Sequence, residues 1–199
     1  MPFSVWIGRA IFGTDVRDYG SGNAGATNTW RVLGWKAGLP VLLLDTGKGF
    51  AATTLPLIDS SLVSDPGLQL WFRVLCGASA AVGHIYPVFA GFRGGKAVAT
   101  LLGVLIGLMP VPAFLSLAVF GVVFLLFRRV SLGSITAGLS LPFLVYFFTG
   151  HPVQMIILSL LICCLVFVTH SRNINRLIHG EEPKLSLRGN RGEKDIRVD

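Results

Sequence analysis

The chain has 199 residues and a formal net charge of +7, yet only 14% of its residues are charged and its mean hydropathy is +0.68. A soluble domain of this length carries about 25% charge, so composition excludes a water-soluble globule and points to one all-α integral membrane domain. Nucleic acid is excluded as a partner, because the cations sit between apolar spans rather than on one soluble face. Cys76, Cys163 and Cys164 lie in apolar segments without metal-ligand spacing and read as small core residues.

The N-terminal stretch Met1 to Gly13 is apolar, contains Arg9, and is too short to span. It lacks the pattern of a cleavable signal peptide. It reads either as an interfacial helix or as the second half of a spanning helix whose first half is absent. Spanning candidates follow at about 37–58, 68–84, 97–109, 112–127, 132–149 and 152–169. Pro110 and Pro112 divide the run from Ala97 to Phe127 into two spans with a tight turn between them. The loops at 59–67, 110–111 and 149–152 contain no Lys or Arg, whereas 14–36, 85–96, 128–131 and the tail after 169 hold nearly all of them. The positive-inside rule places that second set in the cytoplasm. Residues 1–184 form the expected membrane domain, and the mixed-charge stretch 185–199 reads as a disordered cytoplasmic tail.

Four polar motifs stand at the ends of these spans, all on the expected cytoplasmic side. They are Gly20-Ser-Gly-Asn-Ala-Gly-Ala-Thr-Asn28, Gly91-Phe-Arg-Gly-Gly-Lys96, Ser131-Leu-Gly-Ser134 and His170-Ser-Arg-Asn173. Polar groups beside lipid are costly and therefore usually functional. Glycines, hydroxyls and nearby cations together suit phosphate. In the first motif, Ser21, Asn23, Thr27 and Asn28 precede Arg31, and successive N–H groups of a glycine-rich bend make an anion nest. The spacing from Gly20 to Gly25, with Asp45 beyond, also matches a dinucleotide fingerprint. That reading fails, because the polar segment Thr14 to Tyr19 precedes it where a strand is required.

The second motif resembles a phosphate loop but is no Walker A sequence, since Ala90 and Ala97 replace its first glycine and its magnesium-binding hydroxyl. Its glycines still allow close approach to an anion at the start of the next helix, with Arg93 and Lys96 as cations. Topological anchoring is the simpler alternative for both. Ser131 alone would read as a helix cap. Asp45 and Lys48 share a helix face and read as a pair that lowers the cost of burial; Arg73 is isolated in an apolar span and snorkels or packs internally. His84 and His170 stand at span ends, where either suits phosphate binding or general-base work. His170 has Asn173 and Arg176 on roughly the same helical face. His151 falls on the opposite side of the membrane and is excluded from the site. No metal cluster is visible.

Taken in order, the motifs resemble the bacterial acyl-phosphate:glycerol-3-phosphate acyltransferases, the PlsY family. The matching stretches are Tyr19 to Asn28 with Arg31, Leu44-Asp-Thr-Gly-Lys-Gly49, Gly83-His-Ile-Tyr-Pro-Val88, Phe92-Arg-Gly-Gly-Lys96, Ser131-Leu-Gly-Ser-Ile135, and His170-Ser-Arg-Asn-Ile-Asn-Arg-Leu177 with Gly180 and Glu182. The resemblance implies a seven-helix polytopic bundle in the bacterial inner membrane, with its first helix truncated here and its site facing the cytoplasm. It implies transfer of a fatty acyl group from acyl phosphate to the 1-hydroxyl of sn-glycerol 3-phosphate, giving lysophosphatidic acid and phosphate without a cofactor. An acyl-phosphate-producing phosphate acyltransferase is the implied partner enzyme. Ser21, Arg31, Lys96, His170 and Asn173 are the expected catalytic residues. Gly20, Asn23, Thr27, Asn28, His84, Arg93, Gly94, Gly95, Ser131 and Arg176 are expected to bind substrate, and Glu182 to serve structure. The chain departs from the family in carrying Arg93-Gly-Gly-Lys-Ala97 and Ser171-Arg172.

Three rival functions remain. A transporter for a phosphorylated solute would place polar residues at midplane with access from both sides, whereas these motifs cluster on one side. A lipid-binding scaffold explains the cations but not the density of Ser, Asn and Gly. A CDP-alcohol transferase would need a cluster of aspartates for metal.

Overall fold

The computed structural model describes residues 1–58, 63–150 and 152–185. The expectations for His151 and for the tail beyond residue 185 lie outside the described residues. Among those described, the chain is helical: α1 Phe3–Phe12, α2 Ala26–Leu33, α3 Trp35–Thr54, α4 Pro66–Ile85, α5 Val98–Leu108, α6 Pro110–Phe127, α7 Val130–Phe148, α8 Val153–Thr169 and α9 Ser171–Ile178. The seven-helix expectation is approximate, because α2 and α9 are eight-residue helices too short to span.

Local chemistry sets the boundaries. Pro66 opens α4, and the Asp65 carboxylate caps it by accepting from Leu68 N–H at 2.8 Å. The break expected at 110–111 falls earlier, at Met109 alone, whose φ of −149° and ψ of 76° leave the helical region. Pro110 and Pro112 fall in the first turn of α6, where a missing N–H leaves no intrahelical bond unmade. α8 and α9 meet at a 63° bend centred on His170.

Pro66–Ala90, Pro110–Phe127 and Val130–Phe148 are long and apolar enough to cross a membrane, and α8 with α9 makes a fourth such stretch. The apolar side chains Leu125, Leu126, Phe147 and Val168 are exposed, as lipid contact requires. The interior is held by close backbone approach. A Cβ on Gly49 would collide with the Thr100 carbonyl, and one on Gly103 with the Thr46 carbonyl. These glycines let α3 and α5 lie against each other, the small-residue packing common in membranes. Arg73 turns inward: its Nε donates to the Thr53 carbonyl at 2.7 Å and its Nη2 to the Gly107 carbonyl at 2.6 Å. It thereby satisfies the ends of α3 and α5, where cations complement the helix dipole.

Candidate active site

The four motifs meet around one cavity of about 410 Å³. Of the expected site residues, Ser21, Asn23, Thr27, Asn28, Arg31, His84, Lys96, Ser131, His170, Asn173 and Arg176 line it. Gly20, Arg93, Gly94 and Gly95 are not among the lining residues.

The first motif is organised by Asn28, which is 2% exposed. Its Oδ1 accepts from Ser21 N–H at 2.8 Å and Ser21 Oγ at 3.1 Å, and its Nδ2 donates to the carbonyls of Val16 and Tyr19. Asn28 thus shapes the bend. Gly20 is in the left-handed region at φ 62°, and a Cβ there would stand 2.6 Å from Asn28 Oδ1. Three N–H groups of the expected anion nest have partners within the protein. Those of Ser21, Gly22 and Ala24 donate to Asn28 Oδ1, Tyr19 O and Gly94 O respectively.

The bond from Ala24 to Gly94 joins the first motif to the second. A Cβ on Gly95 would strike His84 Nε2 and lie 2.8 Å from the Ala24 carbonyl, so Gly94 and Gly95 let the loop pass against both. Arg93 points to solvent, and its carbonyl accepts from Arg17. Lys96 turns inward and donates to Asn173 Oδ1. Burial pushes its ammonium down to about 8.

The third cluster converges on Glu182, which is 6% exposed. Its carboxylate accepts from Ser131 Oγ at 2.7 Å, Asn173 Nδ2 at 2.6 Å and Arg176 Nε at 2.8 Å. These donors, with Arg176 adjacent, hold it below the ordinary carboxylate value against the opposing effect of burial. The segment is fastened again where Leu185 N–H donates to the Arg128 carbonyl at 2.8 Å. His170 is 3% exposed, and its Nδ1 donates to the Val166 carbonyl at 2.9 Å, which leaves Nε2 as an acceptor. Burial and the neighbouring Lys96 push His170 down to about 4, so it is neutral at pH 7.

Two features make the cavity receptive to anions. The first-turn residues Ala26 and Thr27 of α2, Val98 and Ala99 of α5, and Val130 and Ser131 of α7 all line it. None of these three helices has a side-chain cap. Their orphan N–H groups supply partial positive charge at one place. Charge adds to this: Lys48 offsets Asp45 and Arg176 offsets Glu182, while Arg31 makes no side-chain hydrogen bond among the described residues. Arg31 and Lys96 remain as surplus cations.

The opposite wall is apolar, formed by Leu102, Leu117, Phe120, Phe124 and Val130. It continues into an apolar recess of about 80 Å³ between α5, α6, α7 and α8, which shares Val98, Leu102, Leu117 and Phe120. Sequence reasoning missed Trp30 as a lining residue and read Asp45 only as a partner for Lys48; both face the cavity. The signal for Asp45 was a carboxylate within an apolar run. Buried Arg17 was also missed. Among the described residues no group of three or more His, Cys, Asp or Glu side chains could hold a metal ion.

Residues 1–180 match the family model described as glycerol-3-phosphate acyltransferase. The chain is 44% identical over 192 residues to a glycerol-3-phosphate acyltransferase of Geobacillus kaustophilus, covering 96% of this chain and 92% of the relative. It is 42% identical over 185 residues to glycerol-3-phosphate acyltransferase 2 of Bacillus anthracis, covering 93% and 92%. The fold is similar to that of a crystal structure of PlsY (YgiH), an integral membrane glycerol 3-phosphate acyltransferase in its glycerol 3-phosphate form. The TM-score is 0.79 at 39% identity, covering 93% of this chain and 90% of that one. The lysophosphatidic acid form of PlsY matches at a TM-score of 0.77 and 37% identity, covering 94% and 91%. This multi-pass membrane chain therefore belongs to the glycerol-3-phosphate acyltransferase family and is an acyltransferase.

Proposed function

We propose that this chain transfers a fatty acyl group from acyl phosphate to the 1-hydroxyl of sn-glycerol 3-phosphate. The products are lysophosphatidic acid and phosphate, and the reaction is the first acylation of phospholipid synthesis. One observation carries the reading: a cavity where uncapped helix starts and surplus cations meet an apolar wall. The polar side suits two phosphates, and the wall with its recess suits a fatty chain.

Acyl phosphate is a mixed anhydride with a good leaving group. The protein must mainly hold two anions together and orient one hydroxyl. Arg31 and Lys96, with the N–H groups at the starts of α2, α5 and α7, offset the repulsion between the phosphates and the charge that develops on transfer. Ser21, Asn23 and Thr27 supply hydroxyl and amide contacts at the first helix start, while Asn28 and Gly20 set the bend. Ser131, Asn173 and Arg176 bound the other end, tied together by Glu182. The hydroxyl oxygen attacks the acyl carbon, the bond to phosphate breaks, and the proton passes to a phosphate oxygen of a substrate. His170 is the rival base, with Nε2 as its acceptor atom. Its low basicity supports the substrate-assisted route.

The catalytic unit spans residues 1–184. The positively charged connections support insertion in a bacterial plasma membrane with the cavity facing the cytoplasm, where a phosphate acyltransferase would supply the donor. The test is product formation from labelled glycerol 3-phosphate by purified, detergent-solubilised protein. Acyl phosphate, acyl-CoA and acyl carrier protein thioester are offered separately. Lysophosphatidic acid from acyl phosphate alone is expected. Product from a thioester overturns the donor, and no product from any donor overturns the function.

A further inference from the structure

Asp45 lies in α3 with only 1% of its surface exposed, yet it lines the cavity. Its two carboxylate oxygens differ. Oδ1 accepts from Lys48 Nζ and stands 3.5 Å from His84 Nδ1. Lys48 is itself fixed: it lies 2.6 Å from His84 Nδ1, donates to the Met1 carbonyl at 3.2 Å, and sits 5.5 Å from the centroid of the Phe3 ring. Oδ2 is buried and has no hydrogen-bond partner among the described residues. A buried carboxylate oxygen without a donor is costly and calls for one. Trp30 Nε1 is a second buried, unpartnered atom on the same cavity, and it can only donate.

An unpaired acceptor and an unpaired donor, both on residues that line one cavity, match a group that both donates and accepts, which is a hydroxyl. A phosphate does not fit at Oδ2, because carboxylate and phosphate repel each other. The surplus cations Arg31 and Lys96 belong to the phosphates. A glycerol phosphate carries two hydroxyls. The one that is acylated loses its proton, whereas the other persists from substrate to product and needs an acceptor throughout. We propose that Asp45 Oδ2 accepts a hydrogen bond from the 2-hydroxyl of the acyl acceptor. Asp45 is then a specificity residue for a hydroxyl at that carbon, with Lys48 and His84 as positioning residues that aim its free oxygen. This inference rests on the acyltransferase reading above.

Three acceptors share a phosphate and a primary hydroxyl and differ only at the central carbon: glycerol 3-phosphate, dihydroxyacetone phosphate and 3-hydroxypropyl phosphate. A site built to bind a hydroxyl rejects analogues that lack it, because its polar group is left unpaired. The wild-type protein is expected to prefer glycerol 3-phosphate over both analogues by about 100-fold or more in kcat/KM. The same ratios are measured in Asp45→Asn and in the double variant Asp45→Leu/Lys48→Met, which removes both charges together. Each ratio comes from one preparation, so the folded fraction cancels. The preference is expected to fall at least tenfold in both variants. Where a variant turns over none of the acceptors, calorimetric affinities for glycerol 3-phosphate and 3-hydroxypropyl phosphate replace the rates, with the same collapse expected. A preference retained in both variants, no preference in the wild type, or equal loss of binding for both acceptors overturns the proposal. Wild-type protein that acylates no acceptor from any donor overturns the underlying reading instead.

Discussion

Arg17 and Lys96 are both basic residues drawn inward at the second motif, and they differ in what is left for them to bind. The Arg17 guanidinium is used up: Nε and Nη2 donate to Asp15, and Nη1 donates to the Ala90 carbonyl at 2.6 Å. Asp15 is held down to about 2, with the Arg17 hydrogen bond as the largest cause. This cluster fastens the loop at 88–93 to the segment before the first motif. Lys96 donates to one amide oxygen, Asn173 Oδ1, although an ammonium has three protons to give. It faces a cavity instead of a carbonyl-lined wall. A saturated cation builds the site, and an undersaturated one beside uncapped helix starts is available to a ligand.

The largest expected effect breaks the second region. Lys96→Met removes a charge-assisted donor from the anion site and is expected to lower kcat/KM by roughly 1000-fold, as losing one strong transition-state contact does. Steady-state kinetics with melting temperature unchanged within a few degrees would confirm a functional loss. Arg17→Met breaks the first region. It takes the Arg17 guanidinium from Asp15, which keeps Arg9, and from the Ala90 carbonyl, which keeps the Arg93 N–H at 3.4 Å, and is expected to destabilise the fold by about 2 kcal/mol. Thermal unfolding in detergent reads this loss, which is expected to exceed that of Lys96→Met.

A third expectation sharpens the contrast by pH. The Lys96 ammonium is lost as pH rises through about 8, so KM for glycerol 3-phosphate should climb above that pH, approaching roughly tenfold per unit. The stability linkage runs the other way. Between about 8 and the ordinary value of 10.5, the unfolded chain binds more protons at this position. Folded-state stability therefore rises with pH over the window where affinity falls. The smallest effect is at Arg93, which is exposed and outside the cavity. Arg93→Ala should leave kcat and KM within about twofold, the range of an isolated surface charge.

Arg93 and Lys96 also mark how far the sequence could be read. The motifs announced themselves because glycine, hydroxyl and cation recur at the ends of apolar runs, and charge alternation put them on one side. The helices followed from hydropathy, but the expected spans at 37–58 and 97–109 correspond to α3 and α5, which are not among the stretches long and apolar enough to cross, and two prolines announced the break that falls at Met109. Which of two neighbouring cations turns inward depends on Ala24 and His84 packing against the loop, contacts distant in sequence. The glycine-rich bend advertises free N–H groups, and the fold engages those of Ser21, Gly22 and Ala24 with Asn28, Tyr19 and Gly94. Further donors lie at the starts of α2, α5 and α7, which only the fold brings together. Asp45 read as half of an ion pair because adjacency to Lys48 is local, whereas the cavity it lines is built by residues from several other helices.

Binding of glycerol 3-phosphate to the purified protein, measured by calorimetry in the wild type and in Lys96→Met, tests the account most directly. One site per chain in the wild type, lost or weakened at least tenfold in the variant at unchanged melting temperature, is the expected result. Equal affinity in the two proteins would contradict the claim that this cavity is the anion site.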